Sequence, residues 1–195
     1  MTSHILYLHG FRSSPQSFKA RMLQAWLQQH APATTWCCPQ LPPSPGQAWH
    51  LMLACMQGWP RHSMAVLGSS LGGFYATAVA EHAGCRAVVL NPAVDPARDL
   101  VRHVGEQTAY HDPAVRFDFK ADYIDELRAL TPERLTRPER YAAVIAKGDE
   151  LLDWREMSGR YAGARMLLLE GSDHALSDFA QHLDFVLDFL QLLRH

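Results

Sequence analysis

The chain has 195 residues, 48% of them hydrophobic and 19% charged, with a formal net charge of −2. That length supports a full core in a single domain over residues 1–195. The small net charge gives no electrostatic ground for binding nucleic acid or an anionic membrane. No apolar run reaches the ~20 residues that a membrane-spanning helix needs. Cys37, Cys38, Cys55 and Cys85 show neither C-x-x-C nor zinc spacing, so reduced, buried thiols and no bound metal are expected. Met-Thr-Ser-His at the N-terminus lacks a basic region and a cleavage signal, which points to the cytoplasm.

In chain order, Ile5 to Leu8 is a continuously apolar strand that leads into His9-Gly10-Phe11. A helix follows, with Ser14 as its expected N-cap, Pro15 in the first helical position and Phe18, Met22, Ala25 and Trp26 on its buried stripe. Thr34 to Cys38 reads as a second strand and residues 39–46 as a proline-rich loop. A helix is expected from about Gln47 to Trp59. Met64 to Leu67 is the third strand, and the helix after it runs to about Ala83. Arg86 to Leu90 is the fourth strand.

Residues 95–140 hold 18 of the 38 charged residues, so much of this segment must face water. It reads as a small cap over the sheet edge, with helical patches at Ala97 to Val104 and Tyr123 to Leu130 and an irregular stretch from Tyr110 to Phe119. Tyr141 to Ala146 and Arg165 to Leu169 are the fifth and sixth strands, separated by a helix around Asp153 to Tyr161. A last helix is expected with Ser177 as its cap. Strands alternating with helices in this way give a three-layer α/β sandwich whose parallel sheet is covered on both faces. Ligands of such sheets bind beyond the carboxyl ends of the strands. His9-Gly10-Phe11, Ser70, Asp95, Asp149 and His174 all follow strands, and so converge on that edge.

Gly68-Ser69-Ser70-Leu71-Gly72 fits G-x-S-x-G between a strand and a helix, the context of a nucleophile elbow. Only Ser70 has glycine two positions away on both sides. No lysine follows the glycines, so a phosphate-binding P-loop is not expected. A serine hydroxyl needs a base within hydrogen-bond reach, and an imidazole serves best when a carboxylate fixes its tautomer. Among the 11 histidines, His174 alone stands between the last strand and the last helix. Asp149 is the preferred acid and Asp95 its competitor, while Asp153 and Asp173 suit helix capping. The oxyanion needs two backbone donors, expected from the amides of Leu71 and Phe11. Gly10 lets that loop turn, His9 suits a shaping role, and Arg12 is near enough by sequence to meet an anionic group on the substrate.

Taken together, these residues resemble an α/β-hydrolase and, more narrowly, the small bacterial YqiA-like esterases. The likeness rests on Tyr7-Leu-His-Gly-Phe-Arg-Ser-Ser-Pro15, Gly68-Ser-Ser-Leu-Gly-Gly-Phe-Tyr75, Leu90-Asn-Pro-Ala-Val94, Gly148-Asp-Glu-Leu-Leu-Asp153 and Glu170-Gly-Ser-Asp-His174. The resemblance implies a six-stranded, mainly parallel sheet in chain order 2-1-3-4-5-6. It also implies cofactor-free hydrolysis of acyl esters or thioesters by Ser70, Asp149 and His174. Arg12 stands where similar sequences often carry asparagine. The expected partner is thus a small-molecule ester. An acyl-CoA thioesterase is the alternative within the class, and a non-catalytic ligand-binding protein of the same fold is the alternative outside it.

Overall fold

Burial on both faces of four strands sets the architecture. β1 (His4–Leu8), β3 (Met64–Ser69), β4 (Arg86–Leu90) and β7 (Tyr141–Ala146) are almost wholly buried along their lengths. Each Val, Leu or Ile so covered contributes roughly 1.5–3 kcal/mol. The structure, a computed structural model, describes residues 1–110 and 112–193. The shorter strands β2 (Thr35–Cys37) and β8 (Arg165–Leu169) flank the four. The sheet order is β2-β1-β3-β4-β7-β8, and all five pairings are parallel. With the two cap strands set aside, this is the expected order 2-1-3-4-5-6.

Alternate residues of each strand feed two separate cores. Leu6, Leu8, Val66, Val89, Ala143 and Ile145 pack on one face against α2 (Pro45–Cys55), α3 (Leu71–Ala83), α5 (Asp122–Leu130) and α6 (Trp154–Arg160). Ile5, Tyr7, Leu67, Val88, Leu90 and Val144 pack on the other against α1 (Phe18–His30) and α7 (Leu183–Phe189). The crossover from β2 to β3 passes beyond β1, so the chain reverses direction between β1 and β3. Their carboxyl ends therefore open a crevice.

Three expected helix starts shift. Ser14 does not cap α1: its Oγ accepts from the Gln16 amide at 3.2 Å and its carbonyl from the Ser17 amide at 3.1 Å, closing a turn before the helix begins at Phe18. α2 starts two residues earlier than expected, because Ser44 accepts from the Gln47 amide and Pro45 occupies the first helical position. Ser177 caps no helix. Its amide donates to Asp173 at 3.0 Å, its hydroxyl donates to the same carboxylate, and α7 begins only after a 3-10 turn at Phe179–His182.

The cap departs furthest from expectation. α4 (Pro96–Leu100) and α5 lie where helix was expected, but a two-stranded antiparallel hairpin pairs β5 (Gly105–Thr108), where no element was expected, with β6 (Arg116–Phe119), inside the stretch expected to be irregular. Arg116-Phe117-Asp118-Phe119 alternates with period two, and Phe119 is buried while Asp118 faces out. Glu126 of α5 accepts from the Ser44 hydroxyl and the Gly46 amide, each at 2.8 Å, which ties the cap to the start of α2. All four cysteines are free thiols. No helix among the described residues is long and apolar enough to cross a membrane.

Candidate active site

The turn from β3 into α3 consists of a single residue. Ser70 sits at φ 57°, ψ −122°, in backbone space that a non-glycine residue enters only when its surroundings force it, at a cost of order 1–3 kcal/mol. The surroundings here do so. The Ser70 amide donates to the Leu90 carbonyl at 3.0 Å, while the Ser70 carbonyl accepts from Ala93 at 3.0 Å and from Gly73 at 2.8 Å. The flanking glycines let the backbones close in: a Cβ on Gly68 would lie 1.9 Å from the Gly72 carbonyl oxygen, and one on Gly72 would lie 2.0 Å from that of Leu8.

Ser70 Oγ faces His174 Nε2 at 3.0 Å, and His174 Nδ1 faces Asp149 Oδ2 at 2.8 Å. The Asp149 side chain is fully buried. Its other oxygen, Oδ1, accepts from the amides of Leu151 at 2.9 Å and Leu152 at 2.8 Å. One oxygen is thus anchored to the backbone and the other aimed at the imidazole, an arrangement that sets the proton on Nδ1 and leaves Nε2 free to accept from the serine. Asp95 is engaged elsewhere, accepting from the Arg98 amide at 3.1 Å as the N-cap of α4. Asp153 caps α6, and Asp173 holds Ser177. Of the candidate acids, Asp149 is the one brought to His174.

The loop after β1 lies against the turn. A Cβ on Gly10 would come within 3.2 Å of Ser70 Cβ. Phe11 and Leu71 border the same cavity as Ser70 and His174. Leu71 opens α3 and has no carbonyl one helical turn back, so its amide is available to a ligand. His9 is buried. Its Nε2 accepts from the Leu41 amide at 3.0 Å, which puts the ring proton on Nδ1, and Nδ1 donates to the Gly10 carbonyl at 2.9 Å. This ring joins the Gly10–Phe11 loop to the proline-rich loop. Arg12, half-buried, reaches the cap: its Nε donates to the Thr108 carbonyl at 2.5 Å, its guanidinium stacks 4.3 Å over the Tyr110 ring, and it borders the same cavity as Phe11 and Phe117.

Three cavities adjoin this centre. One of about 320 Å³ is walled by Phe11, Leu41, Pro42, Tyr75, Val115 and Phe117. A narrow one of about 110 Å³ runs from Ser70 and His174 to Leu100, Leu151 and Leu152. His103 also borders it, with its imidazole held below its usual range by burial and by the neighbouring Arg102 and Arg12 charges. A third, of about 270 Å³, lies between Ser70, His174 and the start of α1. Among the described residues no group of three or more His, Cys, Asp or Glu side chains could hold a metal ion.

The sequence profile of the uncharacterised protein family UPF0227 matches residues 4–191. The chain belongs to that family. A UPF0227 protein of Serratia proteamaculans (strain 568) is 25% identical over 195 residues, covering 96% of this chain and 99% of that one. Among solved structures, the mouse alpha/beta hydrolase domain-containing protein 10 is similar with a TM-score of 0.71 and 16% identity, over 97% of this chain and 91% of the mouse chain. Est1E from Butyrivibrio proteoclasticus, with ferulic acid bound, gives 0.64 and 14%, over 96% and 86%. At such identities the likeness is one of fold, and this UPF0227 chain has the α/β-hydrolase fold.

Two residues of the UPF0227 chain matter to this centre more than sequence reasoning found. Asn91, wholly buried and at φ 40°, accepts from the Ala146 amide at 2.8 Å and donates to the carbonyls of Asp173 at 2.9 Å and His174 at 3.2 Å. It thereby ties the histidine loop to β4 and β7. The available signal was an amide side chain at the end of a buried strand, a position where a polar group must find partners. The other is Lys19, placed by its spacing on a helix that looks ordinary, yet only 6% exposed.

Proposed function

We propose that the protein is a serine hydrolase that cleaves carboxylic esters through an acyl-enzyme. The observation that carries this reading is the unbroken hydrogen-bond line from Asp149 through His174 to Ser70, on a backbone held in a conformation that only a constrained turn sustains. A protein that only bound a ligand would have no use for that line.

In the proposed cycle, Ser70 Oγ attacks the acyl carbon while His174 Nε2 takes its proton. The resulting imidazolium is stabilised by Asp149. The amides of Leu71 and Phe11 hold the oxyanion of the tetrahedral intermediate; one such donor is typically worth about 10²–10³ in rate. As the intermediate collapses, His174 returns the proton to the leaving oxygen or sulfur, and the C–O or C–S bond breaks. Water then attacks the acyl-serine, His174 accepts its proton, and Ser70 leaves with that proton as the acid is released. The apolar cavity on the Phe11 and Leu71 side suits the acyl group, since it borders the oxyanion donors but neither Ser70 nor His174.

Two measurements test the reading. Hydrolysis of p-nitrophenyl acetate, butyrate and octanoate should depend on Ser70 and vanish in Ser70→Ala. A fluorophosphonate should label the wild type, with the adduct mapped to the peptide containing Ser70. Labelling at another serine, or turnover retained by Ser70→Ala, sinks the proposal. Matched oxygen esters and thioesters, compared by kcat/KM, separate an esterase from a thioesterase.

A further inference from the structure

The cavity between α1 and the histidine loop differs in kind from the apolar one. Its lining includes Tyr7, Ser17, Lys19, Ser70 and His174, and no Asp or Glu borders it among the described residues. Lys19 is in the first turn of α1 and almost entirely buried. Its ammonium carries three donors. One of them goes to the Ala175 carbonyl, the ammonium lies 5.0 Å from the centre of the Phe18 ring, and no carboxylate lies within 4.0 Å of it among the described residues. Asp173, the acid whose charge acts on it, is hydrogen-bonded to Ser177. Tyr7 and Ser17 also border the cavity, but their hydroxyls are buried and interact with each other.

A buried ammonium with donors to spare is costly unless something negative arrives to accept from it. The cavity also has a definite place in the proposed chemistry. Of the two cavities that border both Ser70 and His174, it is the larger and the one with a buried charge. His174 would deliver its proton to the leaving group, which therefore lies in one of these two cavities, away from the apolar acyl cavity, and the buried charge favours this one.

We propose that this cavity is a subsite for an anionic group, carboxylate or phosphate, carried by the leaving alcohol or thiol of the substrate, and that Lys19 is its specificity-determining residue. The inference rests on the hydrolase reading and narrows it to esters that join an apolar acyl chain to an anionic leaving group. The start of α1 adds its helix-dipole potential in the same sense. Burial holds the Lys19 ammonium down to about 8, so it is charged at neutral pH and able to meet an anion there.

The test compares 3- and 4-carboxyphenyl butyrate with the matching carbamoylphenyl butyrates, which have the same shape without the charge. Wild type should favour the better carboxylate of the pair over its carboxamide by about tenfold or more in kcat/KM, the worth of one charge-assisted hydrogen bond. Lys19→Met and Lys19→Gln should collapse that ratio towards one, and Lys19→Arg should restore part of it. If Lys19 only clamps the Ala175 carbonyl, both esters fall together and the ratio holds, which overturns the subsite. Equal rates for the two esters in wild type overturn it without any variant. Binding of 4-hydroxybenzoate against 4-hydroxybenzamide to Ser70→Ala, with and without Lys19→Met, reads the subsite independently of turnover. A Lys19-dependent preference for the benzoate in a protein that hydrolyses no ester would keep the subsite and reject the hydrolase. Ester turnover with no such preference would do the reverse.

Discussion

The side-chain amide of Asn91 donates to the backbone carbonyl of His174 at 3.2 Å, so the end of β4 holds the loop that carries the proposed base. The same amide group spans Ala146 and Asp173, and none of it reaches solvent. Asn91→Asp keeps an acceptor for Ala146 but turns a carboxylate oxygen towards two carbonyls. Each buried group left unpaired or opposed costs about 1–3 kcal/mol. We expect a loss of roughly 2–4 kcal/mol in a denaturant melt and a fall in kcat of at least about tenfold, with KM less affected. A normal kcat would mean that the histidine loop holds itself in place.

Asp149→Asn should separate orientation from folding. The amide oxygen can still accept from Leu151 and Leu152, so the turn survives. The amide nitrogen would then face His174 Nδ1 and favour the tautomer that cannot accept from Ser70. A drop in kcat of about 10³–10⁴ is expected, with the melting temperature within a few degrees of wild type. Asp95→Asn, in contrast, should cost only part of a helix cap, about 1 kcal/mol or less, and leave turnover alone. Steady-state kinetics on both variants decides between the two acids.

Two glycines within a few ångströms of Ser70 should fail in different ways. A methyl on Gly72 would stand 2.0 Å from the Leu8 carbonyl oxygen, and backbone cannot move aside without parting α3 from the sheet. Gly72→Ala should unfold the protein or cost more than about 4 kcal/mol. A methyl on Gly10 would stand 3.2 Å from Ser70 Cβ, close enough to displace the loop by only a few tenths of an ångström. Gly10→Ala should therefore melt near the wild-type temperature yet lose about 10–100-fold in kcat, because the Phe11 amide leaves the oxyanion position. Circular dichroism melts beside kcat values check both.

Lys19 should leave its mark on stability as well as on specificity. Burial lowers its folded-state value to about 8 from an ordinary 10.5, with Asp173 opposing the shift. Below pH 8 both the folded and the unfolded chain hold the proton, and the folded state bears the full cost of the buried charge. Between about 8 and 10.5 the unfolded chain holds a proton that the folded chain has released, so stability rises with pH. Lys19→Met should thus be more stable than wild type at pH 7, by on the order of 1–3 kcal/mol, with the gap narrowing as pH rises through 8. His174 and Tyr7 border the same cavity in both proteins, so the difference between the two unfolding curves isolates Lys19. A gap that does not change with pH would mean that the ammonium is solvated.

Much of this was legible in the sequence, for identifiable reasons. Strands buried on both faces must be apolar throughout, so β1, β3, β4 and β7 were visible as runs ending within two residues of where they do, the largest gap being at β3, expected to Leu67 and extending to Ser69. The G-x-S-x-G spacing marked Ser70 because the two glycines meet backbone at about 2 Å, a constraint that no other residue type satisfies. The cap was less legible. Its hairpin is half exposed, its strands are four residues each, and its stability comes from Phe11 packing on Phe117 and Phe119 with ring centroids 5.9 and 5.2 Å apart, which no local pattern reports. Asn91 and Lys19 escaped for a related reason. The carbonyl oxygens they donate to lie 82 to 156 residues away, and a backbone carbonyl leaves no mark in a sequence.

Arg12 illustrates the same point and yields the last prediction. By sequence it is a candidate for the substrate's anion; its side chain borders the apolar cavity and also reaches into the hairpin. Its Nε donates to the Thr108 carbonyl, its carbonyl accepts from the Tyr110 amide at 2.8 Å, and its own φ of 60° bends the loop to allow both. The hairpin so held supplies Ala109, Val115 and Phe117 to the wall of the apolar cavity. In Arg12→Ala the hairpin loses the guanidinium bond and the stacking on Tyr110, together about 1–2 kcal/mol of local stability, while the two sheet cores are untouched. The global melt should hardly move. Limited proteolysis within 105–119 should quicken, and the ratio of kcat/KM for octanoate and butyrate esters should shift by severalfold as the wall loosens. If the chain-length profile stays the same while the hairpin is cut faster, Phe117 and Val115 do not limit the acyl group, and the wall that sets its length is the proline-rich loop opposite.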